Sequence, residues 1–267
     1  MIVAILGAGR IGETVAKRLS TSSKISKIIL TKRNISTIQH LRSNKIEVTT
    51  DDVYAAKVAQ IIVISVKASD AKQLLSQISD LVSGKIVISL MAAVSLRKLE
   101  KALIGAKVVR AMPNMAAIIG ESITAYSVGT NISDNDMHQV LHIFDMIGEH
   151  IPVPERYMDA ITALSGSGPA YIAILVEALV TAGLKVGLPR DIAMKLTTKT
   201  LSGTANLLES IKIHPAELRD TVTTPSGTTI AGIYELEKGS FRTSIINAVE
   251  AATFAAEKVS KKFEDEL

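Results

Sequence analysis

A glycine turn near the start of the chain follows the short apolar run Val3–Leu6. Gly7-Ala8-Gly9-Arg10-Ile11-Gly12 fits the pattern G-x-G-x-x-G and precedes a stretch with helical periodicity. The first glycine of this pattern permits a tight turn, the second lets a pyrophosphate approach the backbone, and the third allows close packing of the helix. Gly7, Gly9, Arg10, Ile11 and Gly12 are therefore candidate dinucleotide-binding residues, and a glycine-rich turn of another α/β protein is the alternative.

The end of the second apolar run indicates which dinucleotide would bind. An NAD-specific site places Asp or Glu about 20 residues beyond the third glycine, where it binds the ribose hydroxyls. This chain has Thr31-Lys32-Arg33-Asn34 there, with cations and polar donors and no acid. Such side chains suit a 2′-phosphate, so we expect NADPH to be preferred and NADH to be possible. A solvated strand end is the alternative explanation for Lys32 and Arg33.

Two polar residues follow later strands, at the sheet edge where open α/β proteins bind ligands. Lys67 follows the run Gln60–Val66, and could face a nicotinamide or stabilise developing charge. Asn114 follows Lys107–Arg110 and can both donate and accept, which suits a carboxamide or an ordered water. Each also has an ordinary interpretation, as a solvated strand end for Lys67 and as a turn residue for Asn114.

Two polar loops lie in the second half of the chain. Thr162–Tyr171 places glycines, serines and a proline before an apolar helix, where free N–H groups and hydroxyls could meet a ligand or small residues could simply pack. Val222–Gly232 is rich in hydroxyls and has no acid in its Thr-Pro-Ser-Gly-Thr-Thr core, Thr224–Thr229. It is typical of an anion site for a small carboxylate, and a threonine-rich helix cap is the alternative.

The elements that position these residues change character near residue 153. Before it, β-branched runs alternate with helical stretches, which predicts a parallel, doubly wound Rossmann-type sheet covered by helices. After it, Ala, Leu, Ile and Glu dominate and predict an all-α domain. We therefore expect domains at 1–153 and 154–267. The predicted strands are Val3–Leu6, Lys27–Thr31, Gln60–Val66, Lys85–Leu90, Lys107–Arg110 and Ile123–Val128. The predicted helices are Ile11–Leu19, Asn34–Leu41, Asp70–Leu81, Asp134–Ile147, Glu155–Leu164, Pro169–Leu184, Arg190–Ser210, Pro215–Thr221, Thr229–Lys238 and one from Phe241 towards Phe263.

Composition narrows the function further. The chain has 267 residues, no cysteine and a scattered net charge of +4, so thiol chemistry and disulfides are excluded. Aromatic residues are 3% of the chain and no basic stripe is present, which argues against nucleic-acid binding. No apolar run reaches the roughly 18 residues of a membrane span, and no secretory signal is evident. We expect a cytoplasmic protein without membrane contact and without a required metal.

These residues together resemble one family, pyrroline-5-carboxylate reductase, over nearly the whole chain. The shared segments are Gly7–Gly12, Val66-Lys67, Met112-Pro113-Asn114, Thr162–Tyr171, Gly183–Pro189, His214-Pro215, Leu218–Asp220 and Val222–Ile230. The resemblance implies NADPH-dependent reduction of 1-pyrroline-5-carboxylate, an imine carboxylate, to L-proline in the last step of proline biosynthesis. It also implies a helical dimerisation domain, and a homodimer that often assembles into a larger ring.

The same resemblance assigns roles to particular residues. Val66 and Lys67 belong to the cofactor site, and Thr162 lies near the substrate ring nitrogen, so Thr162 and Lys67 are the candidate catalytic residues. The carboxylate of the substrate would be held by Thr224, Gly227, Thr228 and Thr229.

Several positions depart from the family pattern. Ala68 stands where a proline commonly follows the lysine, Met115-Ala116 replaces Thr-Pro, and Met91-Ala92-Ala93 replaces an Ala-Gly-rich turn. Ser226 replaces the first signature glycine, which matters if that position needs a positive φ.

Two alternatives remain open. One is another NADP-dependent imine or β-hydroxyacid reductase of the same architecture, although a β-hydroxyacid dehydrogenase would need a lysine that Ala170–Val180 lacks. The other is a non-catalytic NADP(H)-binding protein, which would not need the threonine-rich loop.

Overall fold

The computed structural model describes residues 1–266, and the side chains of residues 1–263. The chain forms two compact units, one of Met1–Pro169 with the chain from Glu250 onward, the other of Ala170–Val249. The domain boundary at residue 153 stays a prediction.

The first unit is built on one sheet of eight strands in the order β3-β2-β1-β4-β5-β6-β7-β8. All neighbouring strands are parallel except β6 and β7, which are antiparallel, and β7 and β8 are again parallel. The strands are β1 Ile2–Leu6, β2 Lys27–Thr31, β3 Ile46–Thr49, β4 Ile61–Ile64, β5 Ile86–Ser89, β6 Lys107–Met112, β7 Ser122–Val128 and β8 Gly148–Pro152.

Helices cover both faces of this sheet because its central strands are apolar on both sides. Leu19 and Phe144 belong to the apolar cluster on one face, whereas Leu74 and Leu99 belong to the cluster on the other. The helices before the second unit are α1 Arg10–Ser20, α2 Asp52–Val58, α3 Ala68–Ile78, α4 Leu96–Ala102, α5 Asp134–Asp145 and α6 Met158–Ile161. Short 3₁₀ helices span Ile35–Leu41, Ser79–Leu81, Met115–Ile119 and Glu155–Tyr157, and a π-helix spans Thr162–Gly166.

The Rossmann-type sheet and the helical C-terminal half are confirmed, with corrections. All six predicted strands are present and the sheet is parallel except between β6 and β7, but the prediction missed β3 and β8. Helix α3 begins at Ala68 with Lys67 as its N-cap. Ser133 caps α5 and forms a capping box with Asp136.

A buried arginine joins the sheet to the segment that follows it. Arg110 on β6 has a side chain only 5% exposed, with Glu155 Oε1 3.0 Å from its Nη1 and Asp159 Oδ1 3.7 Å from its Nη2. Glu155 Oε1 also accepts the backbone N–H of Leu96 at the start of α4. Two carboxylates therefore balance a cation that has left water, as a buried charge requires.

The second unit is helical throughout its regular structure. The remaining helices of the chain are α7 Gly168–Lys185, α8 Arg190–Ile211, α9 Pro215–Thr221, α10 Thr228–Lys238 and α11 Phe241–Glu266. Across residues 170–249, whose side chains are all described, Val180 and Ala193 are the buried hydrophobic residues. The helical stretch Glu155–Lys185 is long and apolar enough to cross a membrane by length and composition, with a mean hydropathy of 1.5.

Candidate functional site

A cavity of about 630 Å³ opens where β1, β2 and β4 end. Residues of four separate segments line it, in agreement with the rule that open α/β sheets bind ligands at the carboxyl ends of their strands. Eight of the predicted cofactor residues line this cavity: Gly7, Gly9, Thr31, Lys32, Arg33, Asn34, Val66 and Lys67.

The three glycines of the turn differ in what a side chain at each position would meet. Gly7 has φ +90°, and a Cβ there would lie 2.4 Å from Val66 Cγ1. A Cβ on Gly12 would lie 2.5 Å from Ser65 Oγ, so this glycine permits α1 to approach the sheet. A Cβ on Gly9 would meet no atom within 4 Å. The space beside Gly9 is therefore open to a ligand, which is the arrangement that a pyrophosphate requires.

Thr31 fixes the glycine turn from the neighbouring strand. Its carbonyl accepts the N–H of Ala8 at 2.7 Å, and its hydroxyl oxygen accepts the N–H of Gly7 at 3.2 Å. The hydroxyl proton in turn is donated to Oδ1 of Asp52, the first residue of α2. Thr31, at the end of β2, thus holds both the glycine turn and the start of α2.

Asp52 is a cavity residue that the sequence analysis missed. It lines the cavity with its neighbour Asp51, and burial raises its pKa, against a smaller lowering by the Thr31 hydrogen bond. Two acids thus line the cavity from the start of α2, although none lies at the end of β2. The N-cap pattern Thr50-Asp51-Asp52 could have indicated a helix here, but only once β3 was recognised.

The two predicted phosphate-binding cations already have carboxylate partners. Lys32 Nζ lies 3.0 Å from Glu13 Oε1, and Arg33 Nη2 lies 3.1 Å from Asp70 Oδ2. The Arg33 side chain is 89% exposed, so its pair is weak and screened by solvent. An incoming phosphate can therefore compete for Arg33 at small cost.

The other predicted cofactor residues lie outside this cavity. Arg10 lines a separate groove of about 340 Å³ with Lys17 and Met115, whereas Ile11 and Gly12 lie in the first turn of α1. Asn114 follows β6 and is the N-cap of a 3₁₀ helix.

Asn114 connects the sheet edge to the π-helix Thr162–Gly166. Its Oδ1 accepts the N–H of Ala116 at 3.0 Å, so its Nδ2 is the group that donates to Ser165 Oγ at 3.3 Å. A Cβ on Gly166 would lie 3.7 Å from Met112 Sδ, which places the segment against the end of β6. Single π-helical turns are frequent at functional sites. Thr162, a predicted catalytic residue, begins this segment.

The threonine-rich loop belongs to the second unit and precedes α10. Ser226 has φ +58°, so the family's glycine position does require a left-handed backbone in this chain. Gly227 is the N-cap of α10 and no side chain caps the helix, so helix capping does not account for the hydroxyls. Thr228 and Thr229 form the first turn of α10, and Thr224 Oγ1 lies 2.3 Å from where a Cβ of Gly227 would be. Free N–H groups beside hydroxyls suit a carboxylate.

Comparison with known proteins identifies the family. A family model described as pyrroline-5-carboxylate reductase dimerisation matches residues 155–259, and one described as NADP oxidoreductase coenzyme F420-dependent matches residues 2–93. The pyrroline-5-carboxylate reductase of Synechocystis is 36% identical over 261 residues, which cover 97% of this chain and 98% of that protein. The chain belongs to the pyrroline-5-carboxylate reductase family.

Other members of the pyrroline-5-carboxylate reductase family agree in sequence and in fold. The Arabidopsis thaliana enzyme is 35% identical over 97% of this chain and 95% of its own length. The solved Plasmodium falciparum pyrroline carboxylate reductase with NADP bound superposes with a TM-score of 0.89 at 29% identity, covering 97% of this chain and 98% of that one. The two-part architecture is thus that of the family over its full length.

Proposed function

We propose that this chain reduces 1-pyrroline-5-carboxylate to L-proline with NADPH. The observation that carries the proposal is a glycine turn facing an open cavity, in a chain that matches pyrroline-5-carboxylate reductases over nearly their whole length. NADPH, when bound, supplies the hydride that is added to the imine carbon.

The cavity fits such a cofactor in shape and in chemistry. Its volume of about 630 Å³ lies within the range of small-molecule sites. Gly7 and Gly9 would admit the pyrophosphate to the backbone N–H groups at the start of α1. Lys32 and Arg33, with Thr31 and Asn34, would bind the 2′-phosphate, because a guanidinium and an ammonium both donate to phosphate oxygens. Val66 and Lys67 complete the proposed cofactor site.

The substrate is held, on this proposal, by the helix start that follows the threonine-rich loop. Thr224, Gly227, Thr228 and Thr229 offer hydroxyl and backbone donors to its carboxylate, which is supported by the absence of a side-chain cap on α10. Thr162 lies near the ring nitrogen, Lys67 offsets charge at the reacting end, and Asn114 orients the nicotinamide carboxamide.

The protein functions as a homo-oligomer. A helical unit of residues 170–249, all of them described, that buries only Val180 and Ala193 among its hydrophobic side chains cannot offset the entropy of folding alone. Its exposed apolar residues, such as Ile172 and Leu196, therefore pack against a second copy. The same pairing explains the apolar character of Glu155–Lys185 without a membrane. A larger ring of dimers and a cytoplasmic location are part of the proposal.

The test is an assay of NADPH oxidation by the purified full-length protein, followed by NADPH absorbance. We expect turnover with 1-pyrroline-5-carboxylate and formation of proline, with a lower rate when NADH replaces NADPH. Turnover with a β-hydroxyacid or keto acid and none with the imine would identify a different reductase. NADPH binding without turnover of either substrate would identify a non-catalytic protein.

A further inference from the structure

Reduction of a C=N bond adds a hydride to carbon and a proton to nitrogen, and the cofactor supplies only the hydride. A neutral imine must therefore receive its proton from water or from a side chain of the protein. The π-helix Thr162–Gly166 and the residue after it carry three hydroxyls, on Thr162, Ser165 and Ser167. The hydrogen bonds of this segment show which of the three hydroxyls already donates its proton to another group of the protein.

Two of the three protons are donated to backbone carbonyls of the protein. Thr162 Oγ1 donates to the carbonyl of Met158 at 2.7 Å. Ser167 Oγ donates to the carbonyl of Thr162 at 3.3 Å. Because a hydroxyl has a single proton, neither side chain can donate to a substrate without losing its bond to the helix.

Ser165 differs because its oxygen is an acceptor. Asn114 can only donate through Nδ2, and its amide is fixed in that orientation by the N–H of Ala116 on Oδ1. Ser165 therefore keeps its own proton, and it has no acceptor for that proton among residues 1–263. The side chain is partly exposed, so a ligand or water can reach it.

The position of Ser165 in the fold also favours a catalytic role. Asn114 follows β6 and Lys67 follows β4, both at the carboxyl edge of the sheet where ligands bind. The neighbouring Gly166 packs against Met112 at the end of β6.

We propose that Ser165, oriented by Asn114, is the catalytic residue that passes a proton to the ring nitrogen of the cyclic imine. The Ser165 O–H bond breaks as the new N–H bond forms, the electron pair of the C=N bond goes to nitrogen, and water returns a proton to the serine oxygen. Thr162 keeps its bond to Met158 and can accept an N–H of the reduced ring. The inference rests on the proposed reduction of a cyclic imine.

The experiment compares Ser165→Ala with Ser167→Ala in the full-length protein. Ser167 is a matched control, since it is a serine two residues away whose proton is already donated to the backbone. We expect Ser165→Ala to lower kcat on the order of 10²-fold, the usual contribution of a general acid, with the Kd for NADPH within about twofold of wild type. Ser167→Ala should retain kcat within about threefold, since it removes one neutral hydrogen bond.

A pH profile separates proton transfer from a loss of packing. As the pH falls, more of the free imine arrives already protonated, so the deficit of Ser165→Ala should shrink at acid pH and grow at alkaline pH. A cyclic iminium alkylated on nitrogen needs no proton, and should be reduced equally by wild type and Ser165→Ala.

Two results would overturn the proposal: wild-type kcat in Ser165→Ala, or a deficit that is the same at every pH. Failure of the wild-type protein to reduce any cyclic imine would instead reject the proposed function, and is seen before any variant is made.

Discussion

Gly7 and Gly9 of the glycine turn should respond to alanine in different ways, and Gly9→Ala is the more informative variant. Gly9 has φ −79°, which alanine adopts freely, and its added methyl would meet no protein atom within 4 Å. The change in the free energy of unfolding should stay within about 1 kcal/mol, because lower entropy of the unfolded chain offsets a poorer helix cap.

The same methyl group should block the cofactor. It would project into the space that the pyrophosphate needs, and would separate a phosphate oxygen from the N–H groups at the start of α1. A hydrogen bond to a charged group is worth about 1.5–3 kcal/mol, so losing one raises the Kd for NADPH roughly 10- to 100-fold. Titration by NADPH fluorescence gives the Kd, and thermal unfolding without cofactor gives the stability.

Gly7→Ala is the contrasting variant, since its cost should fall on the fold. Its methyl would lie 2.4 Å from Val66 Cγ1, on a backbone with φ +90°. Strain of about 1–3 kcal/mol and a similar overpacking cost should lower the free energy of unfolding. If Gly9→Ala bound NADPH with wild-type affinity, or if both variants unfolded alike, the assignment of separate steric roles would be wrong.

Three further perturbations test other parts of the structure. Asp52→Asn removes a negative charge from the cofactor cavity, while the amide oxygen of the new residue can still accept the hydroxyl of Thr31. Because the removed charge repels the 2′-phosphate, the preference for NADPH over NADH, measured by the two Kd values, should rise about tenfold. Ser226→Gly removes a side chain from a left-handed backbone. It should raise the free energy of unfolding, as measured by urea denaturation, by up to about 1 kcal/mol. Asp136→Asn weakens the contact to Lys107 and should cost about 1.5–3 kcal/mol at neutral pH. The Lys107 hydrogen bond, with that of Ser133, lowers the pKa of Asp136, so its stabilisation is complete above the ordinary value of 3.8 and is lost as the pH falls through the lower folded value.

Matched measurements decide each of these cases. Asp51→Asn removes the same charge beside Asp52 while still capping α2, so an equal shift in cofactor preference would point to the general field and not to Asp52. Ser202→Gly, in the middle of α8, should destabilise the fold, and an equal loss in Ser226→Gly would contradict the strain argument. Unfolding in urea at pH 7 and pH 3 should show a smaller difference for Asp136→Asn than for wild type.

The six central strands could be predicted because they are buried on both faces. Strands such as β4, Ile61–Ile64, are continuous β-branched apolar runs with every residue buried. The two missed strands, β3 and β8, are the edges of the sheet and are partly exposed. An edge strand needs few apolar residues, so Gly148–Pro152 carries almost no strand signal.

The antiparallel direction of β7 follows from the length of the connection between β6 and β7 more than from composition. β6 ends at Met112 and β7 begins at Ser122, and a short 3₁₀ helix fills the connection. A parallel crossover needs a dozen or more residues, so the chain can only return antiparallel. The predicted strands Lys107–Arg110 and Ile123–Val128 leave twelve residues between them (111–122), enough for a crossover, whereas the longer strands of the structure leave nine (113–121).

The candidate site was predicted where its residues are local and missed where they are not. Gly7–Gly12 and Thr31–Asn34 are recognised by type and spacing within one βαβ unit. Asp52, Asp70 and Glu13 enter the same region from separate elements, and no short pattern announces them. The sequence showed that Ser226 stands where the family has a glycine, but only the structure showed that this position has a positive φ.

The ion pairs of Arg110 determine where a shortened form of the chain can end and still fold. A protein that ended at Val153 would keep this guanidinium, which is 5% exposed in the whole chain, on β6, and would lose both of its carboxylates, Glu155 and Asp159. Breaking a buried pair from one side costs about 3–5 kcal/mol, a large share of the stability of a small domain. An isolated cofactor-binding half should therefore express as a folded protein only when its terminus lies beyond Ile161, and a shorter fragment should be rescued by replacing the arginine with methionine.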